Sequence, residues 1–80
     1  MTLPKKSWIG KMVIVTWEDP SGFINSDLSE VKLSTCESIG ILISFDAHRL
    51  ILRTSKYEGS DVGDYTAITT GCCSEIRLFS

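Results

Sequence analysis

The apolar positions of this chain fall in short runs broken by turn residues. The densest stretch is Ser38–Thr54, SIGILISFDAHRLILRT. Two apolar runs, Ile39–Phe45 and Leu50–Leu52, flank Asp46-Ala47-His48. That is the sequence form of a β-hairpin with a short polar loop. Five of the nine residues from Ile39 to Ala47 are Ile, Leu or Phe, which puts this hairpin at the centre of any core.

The rest of the chain reads as strands added to the hairpin. Ile9–Trp17 is the first: Val13, Val15 and Trp17 alternate with Met12, Ile14 and Thr16, and both sets are largely apolar. Such a strand expects cover on two sides. Glu18-Asp19-Pro20-Ser21-Gly22 ends it, because proline donates no ladder bond and Asp-Pro and Ser-Gly are turn dipeptides. Ser26-Asp27 is a candidate cap for a short helix over 28–33, while Val31-Lys32-Leu33-Ser34-Thr35 alternates as a strand does. The favoured reading of 23–35 is a loop followed by a short strand.

Cys36–Phe45 is the second principal strand, with Ile39, Ile41, Ile43 and Phe45 expected on one face and Gly40 marking a bulge or bend. Arg49–Ser55 is the third, with Leu50, Leu52 and Thr54 inward and Arg49, Ile51 and Arg53 outward. A polar loop, Lys56–Asp64, precedes a fourth strand over Tyr65–Ile68. Thr69–Cys72 reads as a tight or 3₁₀ turn and Ser74–Phe79 as the last strand. Five short strands with one long early loop and a tight turn before the last strand predict an all-β fold, a small five-stranded SH3-like or Sm-like barrel. Residues 1–80 form one domain in this reading, with 1–8 frayed or lying on the surface.

Composition supports the class. Val, Ile and Thr supply 20 of the 80 residues, and these side chains suit a pleated, half-buried surface. A chain this short buries only roughly 60–65% of the surface it exposes when unfolded, so a partner subunit or another staple is expected. Apolar residues make up 42% of the chain, and a small barrel encloses only one face of each strand. Met12, Ile14, Ile51 and Phe79 are left on outward faces and are the expected interface of a homo-oligomer.

Net charge is −2 and the sequence pI is about 5.2. A non-specific nucleic-acid binder needs a positive excess that this chain lacks. Cysteines number three, Cys36, Cys72 and Cys73, with no apolar leader after the N-terminal lysines. Buried, reduced thiols in a cytoplasmic protein are expected. With His48 they are the chain's soft metal ligands, but adjacent Cys72 and Cys73 point to opposite faces of an extended chain, so no metal or other cofactor is expected.

No setting for a nucleophile accompanies the serines, so no enzyme is expected. Glu58–Asp64 lacks the ligand spacing of a calcium loop. Trp8 and Trp17 are read as core or interface fillers before base-stacking platforms. Arg49, Arg53 and Arg77 fall on outward faces of strands that could be neighbours, a pattern suited to phosphate or carboxylate, although a solvated face paired with Glu58 or Glu75 is the commoner outcome. The candidate ligand site is Arg53, Lys56 and Tyr57, with Gly59 and Gly63 expected to let the loop approach a small anion.

Several of these pieces together resemble a group of small SH3-like/Sm-like barrel proteins carried by phages and other mobile elements. Val13–Asp19 (VIVTWED) matches their opening strand, Gly22-Phe23 a Gly-aromatic pair, Ser38–Ser44 a Gly-containing apolar strand and Leu50–Leu52 an L-x-L strand. Residues 68–76 resemble an I-P-x-G-C-I-x-x-I ending, with Thr69 in place of proline and Cys73 in place of an aliphatic. Phe23 stands where tryptophan is usual. The resemblance implies self-assembly and brings no catalytic residues. The expected function is a non-enzymatic binding or assembly module of a phage or mobile element, acting as a homo-oligomer. The alternatives are sequestration of a small phosphorylated ligand, such as a nucleotide signal of host defence, and Sm-like RNA or single-stranded DNA binding.

Overall fold

A computed structural model describes residues 3–19 and 34–79. Five strands form one antiparallel sheet: β1 (Met12–Asp19), β2 (Ser34–Phe45), β3 (Arg49–Lys56), β4 (Gly63–Thr69) and β5 (Cys73–Leu78). Their order across the sheet is β4-β3-β2-β1-β5. The expected strands are all present, with ends displaced by a few residues. Ser34 and Thr35 extend β2 opposite Asp19 and Glu18. The loop-and-strand reading of 23–33 lies outside the described residues, as does the Gly22-Phe23 pair. Near the start, Lys6–Trp8 form a 3₁₀ turn, and Trp8 packs against the core.

The ladder does not close into the expected barrel. Among the described residues no ladder joins the edge strands β4 and β5. Thr70–Cys72 make a 3₁₀ turn that carries the chain over the end of the sheet to the far side of β1, where a hairpin would have laid β5 beside β4.

That short connection also requires the sheet to curl. Edge strands of a flat five-stranded sheet lie about 19 Å apart, at about 4.8 Å per step. A 3₁₀ turn advances only about 2 Å per residue, so Thr70–Cys72 cannot span such a gap. The sheet therefore rolls around one core. Val13 and Val15 of β1, Leu42 of β2, Leu50 and Leu52 of β3, Ile68 of β4, and Cys73 and Ile76 of β5 form a single buried cluster. Trp17 and Phe45 pack against it.

Bulges set which residues reach that core. The register between β2 and β3 shifts between Leu42 and Ser44, so the alternation reverses there. Leu42 and Phe45 both face inward, opposite Leu52 and Leu50, while Ile39 and Ile41 stay outside. This corrects the expectation that Ile39, Ile41, Ile43 and Phe45 share a face. The bend is placed at this shift. Gly40 has a different task, since a Cβ there would stand 2.9 Å from the Arg53 carbonyl oxygen. A side chain at that position would push β3 off β2.

Candidate functional site

Two surfaces hold the candidate residues. The first is the outer face of the sheet. Register builds it in rows: Tyr65, Arg53, Ile41 and Met12 run from β4 to β1, and the Phe79 amide bonds the Met12 carbonyl at the β5 end. The next row is Ile39, Ile14 and Arg77, and the one beyond is Glu37, Thr16 and Glu75. Met12, Ile39 and Phe79 are 41%, 48% and 54% exposed. Ile14 lies beneath its neighbours at 8%. Ile51 is half-buried one step further along β3, opposite Ala67. Ile39 and Ile41 were missing from the sequence-based interface, because the strand pattern alone does not reveal the bulge after Leu42.

The second surface is a cleft of about 390 Å³ at the loop end of the β3–β4 hairpin. Ser55, Lys56, Tyr57, Val62, Gly63 and Asp64 line it. The structure thus brings Lys56 and Tyr57 together and leaves Arg53 out, on the outer face opposite Ile41 and Tyr65. Asp64 joins them, a residue to which the sequence pattern does not point. It accepts a hydrogen bond from Ser55 Oγ at 2.8 Å and puts a carboxylate in the same cleft as the Lys56 ammonium.

The loop glycines serve the fold. A Cβ on Gly63 would lie 2.0 Å from the Ser55 carbonyl oxygen, so the close approach is between β4 and β3. Gly59 has φ +73° and supplies the left-handed step of the turn. The Ser60 amide donates to the Tyr57 carbonyl, and the Tyr57 amide to the Val62 carbonyl, which closes the loop on itself. Tyr57 itself is 72% exposed.

The arginines do not group, and the favoured solvated face with Glu75 as a partner is what Arg77 shows. Arg53 on β3 and Arg77 on β5 are separated by β2 and β1, about 14 Å at the usual strand spacing. Arg77 instead lies 3.8 Å from Glu75 in an exposed pair. Trp8 and Trp17 are packed against the core, and Trp17 Nε1 donates to Ser38 Oγ at 3.0 Å. Both rings are partly buried, and Trp17 also lines a smaller cleft with Thr66, Ala67, Ile68, Thr69 and Cys72.

The thiols differ in setting. Only Cys73 is buried, while Cys36 and Cys72 are half-buried, which corrects the expectation of three buried thiols. Burial pushes the Cys73 thiol up, and the neighbouring Cys72 adds to the shift. At the hairpin loop, the amides of His48 and Arg49 both donate to Asp46 Oδ1, at 2.7 and 2.9 Å. These bonds hold its carboxyl below the usual aspartate value. Among the described residues no three His, Cys, Asp or Glu side chains converge on a point that could hold a metal ion. No described helix is long and apolar enough to cross a membrane.

Comparison with protein-family models, with curated proteins and with solved structures finds no match to this chain.

Proposed function

We propose that this chain is a non-enzymatic binding and assembly module that works in the cytoplasm as a homo-oligomer. The observation that carries the reading is the outer face, where Met12, Ile39 and Phe79 stand exposed around Ile14. An apolar patch on a small sheet is where a partner is expected. A chain this short also gains the most from burying a second surface. The finer reading of the fold is an SH3-like or Sm-like barrel of the kind carried by phages and mobile elements. The strand order and the single curled core support it. Light scattering of the native chain at micromolar concentration tests the reading. A mass of two or more chains is expected, and a stable monomer of 8.9 kDa overturns it.

A second reading has one observation in its favour. The cleft beside Lys56 and Tyr57 has room for a small phosphorylated ligand, such as a nucleotide. Asp64 in the same cleft weakens it, because a carboxylate opposes an anion. RNA or single-stranded DNA fits less well still, given a net charge of −2 and core-packed tryptophans. Calorimetry with mono-, di- and cyclic nucleotides beside a single-stranded oligonucleotide separates the three. Heat from a nucleotide that Lys56→Ala abolishes would establish the second reading.

A further inference from the structure

We propose that a second copy of this chain covers the outer face, across a two-fold axis that sets Arg53 of each copy against Glu37 of the other. The proposal rests on the self-assembly reading and gives that assembly its partner, face and register.

The signs of charge on the face select the partner. Arg53 and Arg77 lie on it together with Glu37 and Glu75, with Arg49 and Glu18 further out along β3 and β1. A nucleic acid would meet three carboxylates there, and a surface of one sign would be repelled by half of the charges. Only a partner carrying both signs in a matching arrangement is complementary, and the chain's own face is such a surface. Arg77 already has Glu75 at 3.8 Å. Arg53 and Glu37 have no ionic partner among the described residues.

Position makes the match specific. Arg53 sits one strand to one side of β2, in the row of Ile41. Glu37 sits on β2 two rows further along. The point midway between them falls beside Ile39. A two-fold axis lying along the face through that point exchanges the two residues, so both Arg53–Glu37 contacts form at once. The same rotation lays Ile14, Ile39, Ile41 and Met12 of one copy over those of the other. It also brings Arg77 over the Phe79 ring of the second copy, an arrangement favourable for a guanidinium. The apolar centre then loses its water while the charges close its rim, the usual anatomy of a stable interface.

Charge reversal tests this register. In Arg53→Glu each contact becomes Glu against Glu, and in Glu37→Arg it becomes Arg against Arg. Like charges facing each other weaken association by roughly tenfold or more. Sedimentation should therefore show each single variant largely dissociated where the native chain is associated. An equimolar mixture of the two should re-associate, because both contacts are then opposite in sign. The double variant Arg53→Glu with Glu37→Arg should associate like the native chain, which also shows that the substitutions leave folding intact. If the native chain associates and the single variants do so equally well, this register is wrong and the self-assembly reading stands. Single variants that dissociate but are not rescued by mixing or by the double change overturn it as well. A native chain that remains monomeric overturns both.

Discussion

Individual residues divide here into those that hold the backbone and those that face outward. Gly63 belongs to the first kind. Its missing Cβ makes room for the Ser55 carbonyl oxygen, which would otherwise lie 2.0 Å away, and backbone cannot swing aside as a side chain can. Gly63→Ala is expected to cost roughly 1–3 kcal/mol, as overpacking does. Gly59→Ala has open space and pays only for its left-handed φ, about 1 kcal/mol. Thermal denaturation should place Gly63→Ala below Gly59→Ala, with Tm lowered by roughly 4–8 °C for each kcal/mol lost. The reverse order would show that β3 and β4 can separate without penalty. The thiols give a second check at this scale. Cys73 should react with a thiol reagent more slowly than Cys36 or Cys72, since burial both shields it and disfavours its thiolate. Mass spectrometry of the singly labelled native protein reads the order, and Cys73 labelling first would contradict it.

Among the elements, the β2–β3 hairpin shows how pH enters. Asp46 has a lower carboxyl pKa in the fold than in the unfolded chain, because the His48 and Arg49 amides bond its charged form. Its stabilising contribution is therefore complete above the unfolded value, about 4, and is lost as pH falls through the folded one. Asp46→Ala should lower Tm at neutral pH and flatten its dependence on pH in the acid range. An unchanged acid limb would mean that this loop adds nothing to the hairpin. The hairpin was legible in the sequence because Asp46-Ala47-His48 separates two apolar runs. Leu50 and Leu52 of the expected inward set were legible too, through strict alternation, whereas Thr54 is exposed where the register shifts after Arg53. Phe45 was not, because one extra residue after Leu42 reverses the faces and leaves no mark in the pattern. Asp64 escaped notice for a different reason. Its place in the cleft depends on the twist of a hairpin closed by Gly63, which spacing does not encode. Nearness in sequence points Arg53 to the cleft, but the register sets it in the outer-face row of Ile41 and Tyr65.

In the molecule as a whole, the curled sheet supplies an inner face to the core and leaves an outer face that no other described residues cover. Self-association is proposed to bury this outer face in solution. Hydroxyl-radical footprinting read by mass spectrometry measures it directly, with Tyr57, exposed on the far loop, as the internal reference. Labelling of Met12 and Phe79 should fall relative to Tyr57 as protein concentration rises, and recover on dilution. Labelling of Met12 and Phe79 that keeps a constant ratio to Tyr57 across the whole concentration range would contradict the account.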